Sequence, residues 1–201
     1  MKILKIPSRQ GWCNSFLLYD NGKGVLIDCA SASVFNVCKE AGVEVCAVLL
    51  THGHFDHVGG CKAFYDAGVP IYCGEKEKDL IFSKEYLGIF GGVYVPEFKI
   101  ARTLKDGEKF EICGVEFEVM LMPGHTAGSI CYKTDRAIFT GDTLFAGSIG
   151  RCDLPTGNAQ ELKNSLKKLN KIDRNYILYC GHGEDTTLDR EKKFNPYLRE
   201  L

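Results

Sequence analysis

Residues 51–60 read THGHFDHVGG, a stretch rich in side chains that bind metal ions. The six positions from His52 to His57 hold three of the five histidines in the chain, together with Asp56. Imidazole and carboxylate groups are ligands for zinc, iron and manganese. The stretch therefore predicts either a metal site or a polar loop rich in imidazole, and the remaining sequence favours one of the two.

The other two histidines and a second aspartate also follow predicted strands. Four apolar runs of strand character lead into glycine-containing turns, and every histidine lies within two residues of a glycine. Turns at one edge of a sheet bring together side chains that are distant in sequence, and glycine lets neighbouring backbones approach closely. The predicted set at this edge consists of His52, His54, Asp56, His57, His125, Asp142 and His182.

This set is larger than one ion needs, and it suffices for two ions that share one carboxylate. Paired ions about 3.5–4 Å apart serve hydrolases by holding hydroxide and stabilising the leaving atom. Each residue alone has a plainer interpretation: Asp142 as a turn residue, Asp56 as a helix cap, and His125 or His182 as a polar strand end. Because all of these would have to hold at once, the metal site is the better hypothesis.

Composition limits the other classes of function. The chain has 201 residues, of which 45% are hydrophobic, and this predicts one globular domain over 1–201. The net charge of −1 supports neither a nucleic-acid partner nor a membrane partner. The first residues lack the apolar stretch of a signal peptide. The ten cysteines show no C-x-x-C spacing and are predicted to be reduced thiols, so both features favour the cytoplasm.

The pattern of strands and helices predicts an α/β arrangement, with helices on the outer faces of sheets. Strands are predicted at 2–6, 15–19, 24–28, 46–50, 71–73, 114–122, 129–134, 137–142 and within 175–183. Helices are predicted at 31–41 with a serine cap, 58–67, 75–82, 158–169 with Asn158 as the cap, and 186–194. The aromatic segment 83–101 is predicted to be irregular, as a lid, a pocket wall or a piece packed on the core.

Four motifs, in this order and spacing, resemble the metallo-β-lactamase superfamily: HGHFDH at 52–57, PGHT at 123–126, TGDT at 140–143 and CGHG at 180–183. Two longer stretches are similar to glyoxalase II (hydroxyacylglutathione hydrolase) and its short, single-domain relatives. These are TGDTLFAGSIGR at 140–151 and NPYLR at 195–199. The resemblance implies a four-layer αββα sandwich of two mixed sheets, with helices on the outer faces and metals at one edge.

The resemblance also implies roles for the seven residues. It assigns His52, His54 and His125 to one metal ion, Asp56, His57 and His182 to a second, and Asp142 to a bridging position. The cofactors would be two divalent ions, zinc before iron or manganese. Asp56 and Asp142 are the implied catalytic residues. A metal-bridging hydroxide would attack a small acyl thioester such as S-lactoylglutathione.

Two other activities on this fold are alternatives to thioester hydrolysis. A persulfide dioxygenase uses a single iron, which His54, His125 and Asp142 would hold here, but the GDTLFAGSIGR segment favours the hydrolase. β-Lactamases have cysteine or serine where Asp142 stands, which argues against a lactamase.

The substrate and the assembly are less constrained by the sequence. Only 19 residues (201 − 182) follow His182, so we expect no counterpart of the C-terminal domain with which full-length glyoxalase II binds glutathione, and the thiol carrier stays open. Arg151 is a candidate contact for an acidic substrate, or else a loop anchor or one half of a structural ion pair. The expected partner is a small molecule, and both monomer and homodimer are open.

Overall fold

Two six-stranded mixed sheets form the centre of the computed structural model, which describes residues 1–8 and 13–201. The first sheet contains β1 (Lys2–Pro7), β2 (Asn14–Asp20), β3 (Lys23–Ile27), β4 (Glu44–Leu49), β5 (Ile71–Gly74) and β6 (Arg102–Leu104). These strands lie side by side in chain order. The pairs β1–β2 and β2–β3 are antiparallel, and β3 to β6 are parallel, so the loops after β3, β4 and β5 leave the same edge.

The second sheet is mixed as well. It contains β7 (Lys109–Ile112), β8 (Val115–Leu121), β9 (Ile130–Lys133), β10 (Ala137–Gly141), β13 (Ile177–Cys180) and β14 (Thr186–Thr187). Between β10 and β13, the strands β11 (Leu144–Phe145) and β12 (Ser148–Ile149) form a separate hairpin. The strand order is β14-β13-β10-β9-β8-β7. Only β10 and β13 pair in parallel, which brings the loops that follow them side by side.

Helices cover the outer face of each sheet. Between the strands of the first sheet, the chain forms α1 (Ser33–Glu40), α2 (Phe55–Val58), α3 (Cys61–Asp66), α4 (Glu77–Ile81) and α5 (Lys84–Ile89). Between and after the strands of the second sheet, it forms α6 (Ala159–Asn170), α7 (Leu188–Phe194) and α8 (Pro196–Arg199). Within the described ranges, none of them has the length and apolar character that a membrane crossing requires.

Three apolar clusters join these layers and confirm the predicted αββα sandwich. Between the sheets, Phe16 packs edge-to-face on Phe139 with 5.6 Å between ring centroids. On the outside of the first sheet, strand residues such as Val48 pack with Phe64 of α3. On the outside of the second, strand residues such as Leu178 pack with the leucines of α6. Alternate residues of one strand thus serve opposite faces, as the period of an extended chain requires.

Helix α6 is formed as its sequence predicts. The side chain of Asn158 accepts hydrogen bonds from the backbone N–H groups of Gln160 (2.9 Å) and Glu161 (3.0 Å), which satisfies donors that the first helical turn leaves open. Leu162, Leu166 and Leu169 are buried on one face. The helix packs behind the loop that carries His125, because Ser165 donates to the carbonyl of Pro123 at 2.7 Å.

The helix predicted at 58–67 is wrong in its extent. The structure has two short helices, and the first begins at Phe55, inside the histidine cluster. They are separated at Gly59 and Gly60, where the N–H of Gly60 donates to the carbonyl of Cys29 at 2.9 Å. A Cβ at Gly60 would lie 2.2 Å from the carbonyl oxygen of Ser31, so the break is the point at which two loops meet.

Two other local predictions also need correction. Helix α1 begins at Ser33, and its first turn has no side-chain cap, because the hydroxyl of Ser31 lies 2.8 Å from that of Ser33 instead. The segment 83–101, predicted to be irregular, contains helix α5. Ser83 caps this helix by accepting from the backbone N–H of Tyr86.

The prediction that all cysteines are reduced is wrong for one pair. Cys46 on β4 and Cys113 in the β7–β8 turn form a disulfide that joins the two sheets across a sequence separation of 67. The turn places Cys113 at a φ of 52° and brings it against the start of β4. The other eight cysteines are free thiols, and seven of them are buried.

Candidate metal centre

Four loops at one edge of the sandwich carry the seven side chains that the sequence singled out, and the structure brings all of them together. His52 and His54 follow β4, and Asp56 and His57 lie on α2. His125 follows β8, Asp142 follows β10 and His182 follows β13. The centre therefore draws on both sheets, and its geometry depends on how the sheets are packed.

Three histidines form a tightly buried first set. The Nε2 atom of His125 lies 2.9 Å from Nδ1 of His54 and 3.2 Å from Nε2 of His52. All three residues are at most 3% exposed. Their inward-facing nitrogens converge on one point, which is the arrangement of three ligands around a cation.

The second set is more open to solvent. The Nε2 atom of His182 lies 3.3 Å from Oδ2 of Asp56, and Nε2 of His57 lies 3.9 Å from the same oxygen. The side chain of His182 is 32% exposed and that of Asp56 is 18% exposed, whereas His57 is fully buried. A small molecule would therefore approach from the side of His182 and Asp56.

Asp142 lies between the two sets and contacts histidines of both. Its Oδ1 atom is 3.2 Å from Nε2 of His57. Its Oδ2 atom is 3.5 Å from Nε2 of His125 and 3.3 Å from Nε2 of His182. One carboxylate in contact with both sets has the position that a ligand shared by two ions requires.

Hydrogen bonds to the outer nitrogens of three histidines select their tautomers. Nδ1 of His125 faces the carbonyl of Arg151 at 2.7 Å, so it carries the proton. Nδ1 of His57 faces Oδ2 of Asp28 at 2.8 Å, and Nδ1 of His52 faces the hydroxyl of Thr51 at 3.1 Å. Each histidine then presents an unprotonated Nε2 to the centre, which is the form that binds a metal.

The centre fits cations better than it fits empty space. With these tautomers, the lone pairs of His125 and His52 face each other across 3.2 Å, an arrangement that is repulsive unless a positive charge lies nearby. Nε2 of His57 and Oδ1 of Asp142 are buried and make no hydrogen bond within the described part of the chain. Buried polar atoms are rarely left unpaired, so these donor atoms are suited to ion binding.

The protonation states of the first set and of Asp142 also suit metal binding. Burial, and then the neighbouring His125, lower the pKa of His54 to about 3, and burial with His57 lowers the pKa of His52 well below its ordinary value. Burial opposes the charge of Asp142 as well, but His57 and His182 hold its pKa well below the usual range. At neutral pH the first set therefore offers neutral imidazoles, and Asp142 is an ionised carboxylate. In the second set, burial opposes the charge of His182, but its contacts with Asp142 and Asp56 raise its pKa to about 9.

Three acidic residues that support the loops were not singled out from the sequence. Asp28, at the end of β3, accepts hydrogen bonds from Thr51 and His57. Glu77 on α4 accepts from the loops of His52 and His125. Glu191 on α7 accepts from the β11–β12 hairpin. Asp28 shared the signal that identified Asp142, because it is an aspartate directly after an apolar strand.

Aromatic residues border both sides of the centre. The ring of Tyr86 on α5 stacks on His54 at 4.7 Å and 13°, and Phe90 contacts Tyr86 and Phe55. On the other side, Phe145 of the hairpin meets His182 edge-on at 5.9 Å. Part of the aromatic segment thus lies against the first set, and another part, with Val95 and Phe98, is packed in the core of the first sheet.

Arg151 lies next to the centre through its backbone. Its carbonyl oxygen accepts from His125, while its guanidinium makes two hydrogen bonds to Asp153, at 2.7 and 2.8 Å. Both side chains are more than half exposed. The ion pair is therefore present, and contact of Arg151 with a substrate stays a prediction.

Comparisons with known proteins agree with this geometry. A family model described as "Metallo-beta-lactamase superfamily" matches residues 9–182. The hydroxyacylglutathione hydrolase GloC of Haemophilus influenzae is 35% identical, and the match covers 98% of each chain. The crystal structure of the BLEG-1 B3 metallo-beta-lactamase is 30% identical with a TM-score of 0.92, covering 98% of this chain and 99% of that one. The di-iron-bound form of TTHA1623 is 30% identical with a TM-score of 0.85, covering 97% and 100%.

Proposed function

The chain belongs to the metallo-beta-lactamase superfamily, and from this premise we propose that it is a dinuclear metallohydrolase that cleaves a small acyl thioester, such as S-lactoylglutathione. The observation that carries the proposal is the position of Asp142, whose carboxylate contacts histidines of both sets of ligands. The likeness to a hydroxyacylglutathione hydrolase over 98% of both chains supports the thioester class.

His52, His54 and His125 would hold one ion, Asp56, His57 and His182 the other, and Asp142 both. Two divalent ions there would supply hydroxide at neutral pH and stabilise the negative charge that develops on the thioester oxygen. Zinc suits this donor set, and the di-iron form of TTHA1623 supports iron as an alternative to zinc or manganese.

Asp56 is the proposed proton acceptor. Its carboxylate lies at the open side of the centre, 3.3 Å from His182, and although burial raises its pKa, His57 and His182 lower it below the ordinary value. An ionised carboxylate at this position would take up the hydroxyl proton when the intermediate collapses and the carboxylic acid product ionises. The thiolate that departs is a good leaving group, so no further acid is needed.

The remaining parts of the proposal concern substrate contacts and location. Arg151 is the proposed contact for an acidic group, and it would have to exchange its bond to Asp153 for one to the substrate. A cytoplasmic location is supported by eight free thiols and opposed by the Cys46–Cys113 disulfide. Fractionation of cells followed by immunoblotting tests this part separately.

Metal content and activity, measured on the same preparation, test the main proposal. We expect two ions per chain by elemental analysis and hydrolysis of S-lactoylglutathione, with release of thiol followed by a chromogenic reagent. In parallel, oxygen uptake is measured with glutathione persulfide. One iron per chain together with oxygen consumption would replace the hydrolase by the dioxygenase. Two ions without thioester turnover would remove the substrate class and leave the metal centre.

Hydrolysis of β-lactams is a second candidate, favoured by the likeness to BLEG-1 at 30% identity over nearly the whole of both chains. Asp142 argues against it, because lactamases of this fold have cysteine or serine at that position. A chromogenic cephalosporin assayed beside the thioester separates the two. A kcat/KM for the cephalosporin that exceeds the thioester value would make the lactamase the better assignment.

A further inference from the structure

Glu77 joins the two loops that carry the first set of ligands. Its Oε2 atom accepts a hydrogen bond from the N–H of Gly53, between His52 and His54, at 2.6 Å. Its Oε1 atom accepts from the N–H of Gly128 at 2.7 Å and from the hydroxyl of Thr126 at 2.8 Å, in the loop of His125. The carboxylate is therefore a bridge between two segments that are more than 70 residues apart, from Gly53 to Gly128.

The surroundings of this carboxylate are built to admit it. Glu77 is 1% exposed, although it comes from a run of charged residues, EKEKD at 75–79. A Cβ at Gly128 would lie 2.6 Å from Oε1 of Glu77, and one at Gly53 would lie 3.0 Å from Oε2. Glycine at both positions lets the backbone of each loop approach the carboxylate closely. Burying a charged group costs free energy unless it is well paired, and the three donors provide that pairing.

We propose that Glu77 is a positioning residue for the metal centre: by tying the Gly53 loop to the Thr126–Gly128 loop, it sets the spacing of His52, His54 and His125 and hence the affinity of the first set for its ion. The inference rests on the proposed metal centre and concerns only one of its two halves. Among the described residues, Glu77 makes no hydrogen bond or ion pair to any of the seven candidate ligands, and it acts through the loop segments on either side of them.

A glutamine at this position would break the bridge at one end. Both loops present backbone donors to Glu77, one to each oxygen. An amide has one oxygen and one NH2 group, so in either orientation the NH2 group would face a backbone N–H. Glu77→Gln thus preserves the size of the side chain and removes the tie to one loop.

The chain offers a matched control in Glu191. This carboxylate is also 1% exposed, and it accepts from the N–H of Gly147 (2.8 Å), the hydroxyl of Thr186 (2.6 Å) and the amide of Asn195 (2.9 Å). It pins the β11–β12 hairpin, and none of its hydrogen bonds reaches the loops of the first set. Glu191→Gln therefore reproduces the loss of a buried charge without the proposed effect on those loops.

The test is a titration of metal-free protein with Co²⁺, followed by its visible absorption. The background His182→Ala weakens the second set, so binding there reports on the first; the background His54→Ala does the reverse. Supporting hydrogen bonds around metal ligands typically change affinity by roughly 10–100-fold. We expect Glu77→Gln to weaken Co²⁺ binding by that factor in the His182→Ala background and by less than about threefold in the His54→Ala background.

Glu191→Gln should leave the Co²⁺ affinity of the first set within about threefold of the wild-type value. The thermal unfolding of the two variants shows how far each substitution lowers the stability of the whole protein. The proposal would be overturned if Glu77→Gln lowered the Co²⁺ affinity equally in both backgrounds, if both glutamate variants lowered it equally, or if Glu77→Gln did not lower it. If Glu77→Gln does not fold, Glu77→Asp, which keeps the charge but is one methylene shorter, is held to the same outcomes. A wild-type protein that binds cobalt this way but hydrolyses no thioester would refute the proposed substrate and not the role of Glu77.

Discussion

The Nδ1 atom of His57 lies 2.8 Å from the Oδ2 atom of Asp28, and both residues are buried. The same oxygen accepts from the hydroxyl of Thr51, and Oδ1 accepts from the N–H of Thr51, each at 2.8 Å. Asp28 therefore fixes the tautomer of His57 and holds the end of β4, where the histidine cluster begins. Its backbone has a φ of 56°, a left-handed conformation that aspartate and asparagine tolerate better than most residues.

Asp28→Asn should weaken metal binding with little change in the backbone, because asparagine accepts the same φ. Its NH2 group would face either the N–H of His57 or the N–H of Thr51, so one of these hydrogen bonds is lost. We expect a loss of roughly 10–100-fold in metal affinity, measured by competition with a chelator. Asp66→Asn on the exposed face of α3 is the control and should bind metal as the wild type does.

Asp142→Ala should reduce the metal content below two ions per chain. The alanine removes the only side chain, among the described residues, whose carboxylate contacts histidines of both sets. We expect thioester turnover to fall at least 100-fold, in line with the loss of a group that acts on the reacting atoms. Two retained ions with normal turnover would refute the bridging position of Asp142.

Gly124→Ala should displace His125. The φ of Gly124 is 135°, and a Cβ there would lie 2.2 Å from the backbone nitrogen of Leu162, so the loop has to move away from α6. A misplacement of about 1 Å at a catalytic centre can cost roughly 100-fold in rate. The measurement is kcat together with metal content. Gly88→Ala on α5, where a Cβ meets no atom within 4 Å, should leave kcat unchanged.

Loss of the Cys46–Cys113 disulfide should lower the stability of the protein and leave its catalytic rate unchanged. Closing a loop of 67 residues stabilises a folded chain by about 4 kcal/mol in the chain-entropy account. For a protein of this size, we expect Cys46→Ser to lower the Tm by roughly 10 °C, measured by calorimetry. The metal-loaded variant should keep the wild-type kcat, because Cys46 precedes His52 by six residues of mostly extended chain, roughly 20 Å. An unchanged Tm would show that the bond is absent in solution.

Much of the candidate site was predictable because its residues share a local signal. His125, Asp142 and His182 each follow an apolar run and adjoin a glycine, so pattern alone placed them at strand ends. The resemblance of the motifs supplied the fold, which the structure and the comparisons confirm. Helix α6 was equally clear, because its leucines recur at the helical period behind an asparagine cap.

The features that escaped prediction depend on contacts between distant segments. Glu77 belongs to a charged run typical of a solvent-exposed helix, and only the space left by Gly53 and Gly128 explains its burial. Cys46 and Cys113 lie in different sheets, and no local pattern relates them. The division of the helix at Gly59 and Gly60 likewise reflects a contact with the loop after β3, and periodicity contains no information about that contact.

The disulfide also has a mechanical consequence. It ties the two sheets together at the end of the sandwich where β4 and β8 begin, and the seven ligands lie at the end where those strands finish. Ions bound at the centre would join loops of both sheets, so the disulfide and the metal centre would connect the two sheets at opposite ends of the sandwich.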